Sequence, residues 1–158
     1  MSRRDQIRMS DSEVDAFLAQ VRIVTCASMG RSGRPHLMPM WFTPHVPTRV
    51  DCWTYASSQK VRNLKALPQA TLQIEAGVSY EELRGVSMEC DVELIDDVDA
   101  VAEIGLGLSV RYTEGLTADT VPDGLRQFIA KQATKRVGLR FHQTRILSWD
   151  HGKLGGVY

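Results

Sequence analysis

Apolar positions along the chain follow two periods, and the switches between them outline the fold. The segment SDSEVDAFLAQ opens with Ser10 three residues before Glu13, a capping box. Val14, Phe17 and Leu18 then recur at helical spacing, which predicts a helix over residues 11–20. VRIVTCAS (21–28) is rich in β-branched residues and reads as a strand. MGRSGRP turns the chain and RPHLMPMWF (34–42) returns as a second strand, so the two make a hairpin. Pro39 has no N–H to give a ladder, which puts this second strand at an edge or a bulge. After the loop PHVPT (44–48), RVDCWTYA (49–56) predicts a third strand, followed by a short helix that stops at Pro68. ATLQIEA (70–76) is a fourth strand and LRGVSMECDVELI (83–95) a long fifth. The acidic break DDVD starts a helix through AVAEIGLGLSVRY, and a loop, TEGLTADTVPDG, leads to another in LRQFIAKQATK. RVGLRFH (136–142) and TRILSWD (144–150) predict two closing strands.

The connections are short, so the sheet is expected to be mostly antiparallel. Strands this long and numerous leave exposed polar edges if the sheet stays flat, and a small barrel removes them. The expected class is therefore mainly β with short helices. The glycines do not form GxGxxG after a strand, which argues against a doubly wound nucleotide site.

A chain of 158 residues suits one domain spanning residues 1–158, with a core that needs no staples. Lys plus Arg balances Asp plus Glu at 19 each, which disfavours a nucleic-acid partner. The balance is uneven locally. Residues 60–65 are basic and residues 75–99 acid-rich, and a compact basic spot suits a small anionic ligand better than a polymer. Cys26, Cys52 and Cys90 are dispersed among apolar residues and read as buried free thiols of a reducing compartment. They share no ligand spacing with His36, His45, His142 or His151, so no metal site is expected. The N-terminal stretch lacks an apolar signal core, and no run approaches the roughly 20 apolar residues of a membrane span. A cytoplasmic protein with no membrane partner is the expectation.

The stretch TYASSQKVRNLKALP (54–68) carries the candidate chemistry. Ser57 or Ser58 would cap the helix, whose first-turn amides are unpaired and carry the positive end of the dipole. Lys60 and Arg62 add charge to that end, and several donors could converge on one phosphate. Val61, Leu64 and Leu67 would face the barrel, with Asn63 beside them. A merely solvated basic helix would place acids four residues away, and none stands between Ser57 and Leu72. Both readings stay open on these residues alone.

GRPHLMPMWF, WTYASSQKVRNLKALPQATLQIE and YEELRGVSMECDVEL, in that order and spacing, resemble the pyridoxamine 5′-phosphate oxidase-like family of split β-barrels. The resemblance spans roughly residues 10–150 and is greatest to the short actinobacterial flavin and deazaflavin oxidoreductases. It implies a homodimer of six-stranded antiparallel split barrels with cofactor sites at the subunit interface. It implies that Lys60, Arg62 and Asn63 hold the cofactor's phosphate with help from Ser57 and Ser58. The ring would lie along Leu37, Met38, Pro39, Met40 and Trp41, with Trp149 reaching it from the partner chain. The implied cofactor is FMN or the deazaflavin coenzyme F-420, and the implied activity is hydride transfer to a small conjugated organic substrate. The chain ends without the W-x-x-x-R-L-x-P type segment that grips pyridoxal phosphate, which argues against a vitamin B6 substrate.

Other candidates have plain structural readings beside them. Trp53 reads as core rather than as a ring platform, while Trp41 suits either role. YEELRG (80–85) reads as a solvated loop, His36 can point either way, and the WDHGKL tail (149–154) is expected to fray rather than act. No Ser–His–Asp or Cys–His set can be argued, which fits an enzyme whose cofactor performs the chemistry. The alternative is a non-catalytic binder of flavin, haem or another planar ligand.

Overall fold

The computed structural model describes residues 2–45 and 49–155. The loop expected over residues 44–48 therefore lies partly outside the described residues. Five α-helices and seven strands are present among them. The strands are β1 (Val24–Met29), β2 (Pro35–Met40), β3 (Thr43–His45), β4 (Arg49–Tyr55), β5 (Gln69–Ala76), β6 (Arg84–Ile95) and β7 (Arg136–Asp150). They form one antiparallel sheet in the order β2-β1-β5-β6-β7-β4-β3. Its two edge strands, β2 and β3, are consecutive in the chain and separated only by Trp41 and Phe42. The sheet must therefore curl until its edges meet. No ladder joins them among the described residues, so the half-barrel is split at that seam.

This sheet has seven strands, not the six that the resemblance implies. The addition is β3, whose Pro44 disguised it as loop; its three residues pair with Asp51, Val50 and Arg49 of β4. The two closing strands expected over residues 136–150 are one strand. HQTR contains no turn residue, and the register slips by one position as Glu89 pairs with Arg145 and Cys90 with Gln143. Thr144 is the extra residue of this bulge, and its hydroxyl donates to the Glu89 carbonyl at 3.0 Å.

Alternation decides which face is inside. Ala70, Leu72 and Ile74 of β5 are buried while Gln69, Thr71, Gln73 and Glu75 are exposed. The same rule turns Val24 and Cys26, Val86 and Met88, and Leu139 and Phe141 inward. Helix α2 (Asp11–Gln20) covers this core with Val14, Phe17 and Leu18, and is capped as expected by Ser10 and Glu13. A capping box of Ser2 and Asp5 also starts a short helix, α1 (Arg3–Ile7), that the apolar pattern did not announce. Helix α3 (Gln59–Ala66) adds Val61 and Leu64.

Helices α4 (Val98–Tyr112) and α5 (Asp123–Ala133) pack on the outer face of β4 and β7 around Val101, Ile104, Leu108 and Ala133. Close approach there depends on Gly105, where an added Cβ would stand 2.5 Å from the Trp53 ring. Trp53 is thus packing material. Tyr112, at the end of α4, holds the seam: its hydroxyl accepts from the Phe42 amide at 2.9 Å and donates to the Arg22 carbonyl, while its ring stacks on Trp41 at 4.4 Å. The expected fraying of the tail is not observed. Residues His151–Leu154 form a 3₁₀ turn, the His151 ring packs 4.4 Å from that of Tyr80, and Lys153 bonds Glu13 at 2.6 Å. Tyr80 itself belongs to a short turn, Tyr80–Glu82, instead of an open loop.

Candidate functional site

Helix α3 has two different flanks, and the structure divides the expected ligand residues between them. Lys60 and Asn63 lie on the flank turned toward the barrel, only 7% and 4% exposed. The Lys60 ammonium donates to Thr54 Oγ1 at 2.9 Å, and no carboxylate pairs with it among the described residues. Burial lowers its pKa, opposed by the neighbouring thiols of Cys26 and Cys52. Burial also pushes Cys26 up to about 11 and Cys90 to about 12, so these free thiols stay protonated and unreactive. The Asn63 amide donates to Ser28 Oγ at 3.1 Å and its carbonyl accepts from Gln59 Nε2 at 2.8 Å. This chain of polar contacts straps α3 to β1.

The opposite flank carries Arg62 and Lys65, both exposed. It faces the β1–β2 turn, where Gly33 adopts φ 74° and lets the chain reverse tightly enough to bring Arg31 alongside. Between helix and turn runs a groove of about 760 Å³, lined by Met29, Gly30 and Arg31 on one side and by Gln59, Arg62, Asn63 and Lys65 on the other. That volume is of the size that holds a drug-sized ligand. No carboxylate lines the groove, and Arg31, Arg62 and Lys65 form no ion pair among the described residues. Ser58 is the helix N-cap, yet its side chain makes no capping bond and its buried Oγ has no partner. Ser57 is exposed, and neither serine lines the groove.

Strand β2 leaves the turn that carries Arg31. Its expected ring-backing residues are largely uncovered: Leu37 is 57% exposed and Met38 40%, Pro39 is exposed too, and Met40 is buried. Pro39 sits on an edge strand, as its missing N–H requires. Trp41 is 56% exposed despite its stack on Tyr112. His36 lies opposite Ser28, with a buried Nδ1 that has no partner. Trp149 pairs with Gly85, six positions along β6 from Asp91, which pairs with Gln69 just beyond α3. Within one chain it is thus about 20 Å from the groove end of the sheet.

Leu67 departs from its expected packing role. Helix α3 stops at Ala66, and Leu67 turns extended at φ −139°, leaving it 42% exposed. Sequence reasoning passed over Arg31, Gln59, Ser28 and Thr54. Ser28 did carry a signal, since it is the polar residue in the inward series Val24, Cys26, Ser28. Arg31 carried none, because only the tertiary fold sets the turn beside the helix.

A family profile described as pyridoxamine 5′-phosphate oxidase matches residues 10–147, and the chain belongs to that family. No curated protein matches it. Among solved structures, a conserved hypothetical protein from Mycobacterium tuberculosis is 34% identical, with a TM-score of 0.86 over 100% of this chain and 95% of that one. An F-420 reductase is 21% identical and superposes with a TM-score of 0.63, covering 84% of this chain and 94% of its own. A haem storage protein from Vibrio cholerae, 11% identical, reaches 0.67 over 89% and 96%. The last two likenesses show the shared fold alone.

Proposed function

We propose, from membership of the pyridoxamine 5′-phosphate oxidase family, that this chain is an oxidoreductase that binds a phosphate-bearing flavin or deazaflavin in the groove beside α3. The observation that carries this reading is a groove with three cations and no carboxylate. A cationic cleft without internal counter-ions is matched by an anionic ligand. Arg62 and the Asn63 amide, both of which line the groove, would hold the phosphate. The exposed apolar edge of Leu37, Met38, Pro39 and Trp41 begins next to the groove and would back the ring. When bound and reduced, the cofactor would supply hydride to a small conjugated organic acceptor. The protein's part is to fix the ring against β2 and keep water from its face.

A homodimer would cover this same edge, and Trp149 would reach the ring from the partner chain. Sedimentation should give twice the mass of the 17.7 kDa chain. The direct test is to titrate FMN and F-420 separately by fluorescence, then assay the reduced form with a quinone and an enone. Saturable binding with turnover supports the proposal. Binding of a planar ligand such as haem to the same apolar edge, without turnover on any acceptor, supports the second reading, a ligand carrier. Failure of the wild type to bind any of the three removes both.

A further inference from the structure

We infer that His36 is a hydrogen-bond donor to the bound ring, reaching a carbonyl oxygen on its polar edge through Nε2. The contact presupposes the cofactor reading proposed above and adds a residue to it. The four histidines of the chain divide three to one. His45 faces Asp51 at 3.4 Å, His142 meets Glu93 at 3.1 Å, and His151 Nδ1 lies 3.1 Å from the Tyr80 carbonyl. His36 has no polar partner among the described residues. A histidine that steadies a fold is expected to be bonded, because an unmet buried polar atom is expensive.

The two ring nitrogens of His36 differ. Nδ1 is buried and unpaired. Nε2 is unpaired too but is not enclosed; the residue is half-buried, and this nitrogen reaches the surface. In a neutral imidazole one nitrogen donates and the other accepts. A buried acceptor left unmet costs less than a buried N–H left unmet, so the proton belongs on Nε2. The open end of His36 is then a donor with nothing in the protein to receive its bond. Its place suits the role. His36 is the second residue of β2 and lies opposite Ser28 of β1. The Ser28 hydroxyl is engaged by Asn63, which lines the groove. On its other side β2 is a sheet edge, so no paired strand covers His36 there among the described residues. The next residue, Leu37, begins the uncovered apolar edge proposed to back the ring. A flavin or deazaflavin ring carries carbonyl oxygens on one edge, and reduction by two electrons puts negative charge there. A donor fixed at that edge holds the reduced form more strongly than the oxidised one. Leu37, Met38 and Pro39 offer no side-chain donor of their own.

The test measures dissociation constants without oxygen for oxidised and reduced FMN and F-420, in wild type, His36→Leu, His36→Gln and Arg62→Ala, with unfolding of the ligand-free proteins alongside. His36→Leu should weaken binding of the reduced form about tenfold more than that of the oxidised form, the worth of one hydrogen bond to a charged group. His36→Gln keeps an N–H and should stay within about threefold of wild type. Arg62→Ala should weaken both forms alike, because the phosphate is unchanged by reduction. Ligand-free His36→Leu should unfold no earlier than wild type, since it loses no bond. Earlier unfolding, or equal losses for the two redox forms in both His36 variants, overturns the donor and makes His36 a packing residue. Wild-type affinities in both His36 variants, with Arg62→Ala impaired, overturn the contact and leave the groove reading standing. A wild type that binds neither cofactor removes the groove reading, and this contact with it.

Discussion

Two clusters of positive charge lie on the outside of this sheet, and they are built on opposite principles. Where β3, β4, β6 and β7 lie side by side, His45, Arg49, Arg140 and His142 each have an acid. Asp51, with its side chain 5% exposed, takes Arg140 at 3.2 Å, Arg49 at 3.3 Å and His45 at 3.4 Å, while Glu93 takes His142 at 3.1 Å and lies 3.9 Å from Arg140. Beside α3, Arg31, Arg62 and Lys65 form no ion pair among the described residues. The first cluster closes on itself and ties neighbouring strands together. The second leaves charge unspent on the protein, and unspent charge lining a cleft is what an anionic ligand uses. Counting basic residues in the sequence would not have separated the two.

Removing Asp51 should break the comparison on its structural side. Asp51→Ala leaves two guanidinium groups without their shared carboxylate and should lower stability by about 2–4 kcal/mol, read by denaturant unfolding. Cofactor affinity should stay at the wild-type value. The reverse pattern belongs to Arg62→Ala, which should lose about 1.5–3 kcal/mol of cofactor affinity with the unfolding midpoint unmoved. Loss of stability in Arg62→Ala, or loss of affinity alone in Asp51→Ala, would erase the distinction between the clusters.

Lys60 sharpens the comparison from inside the barrel. Its pKa is lowered in the folded state, so the destabilisation is complete below that folded value and fades as pH rises toward the ordinary lysine pKa of 10.5. The stability of Lys60→Met relative to wild type should therefore be highest near neutrality and decline with rising pH. A difference that does not change with pH would show Lys60 to be no worse off buried than in water. The smallest effect concerns the docked tail. The hydrogen bond from Lys153, with help from the Ser10 amide, holds the Glu13 carboxyl down to about 2. Stabilisation of the tail is then present above 4.5, the ordinary glutamate value, and lost as pH falls toward 2. Resonances of His151 and Gly152 should shift over that window, and Glu13→Gln should abolish the pH dependence.

Much of the fold was legible because its cues are local. The Ser10 and Glu13 cap, the alternation in β5 and the proline at position 39 each act within a few residues, and each appears where the pattern put it. The motif on α3 also pointed to a basic site, since an acid-free run of Lys60, Arg62 and Lys65 is written in consecutive residues. The division of that motif was not legible. On a helix Lys60 and Asn63 sit beside the stripe of Val61 and Leu64, and only packing against β1 and β6 decides that they go in with it.

By itself the sequence determined where most of the strands and helices form, which strand face is apolar and that α3 bears excess charge, because backbone preference and side-chain period are properties of neighbours along the chain. Only the tertiary structure decided that Lys60 serves Thr54, that Arg31 faces Arg62 across a groove, and that β2 and β3 meet at an unpaired seam. Those contacts join residues far apart in the chain, through curling of the sheet and strand register that no local pattern encodes.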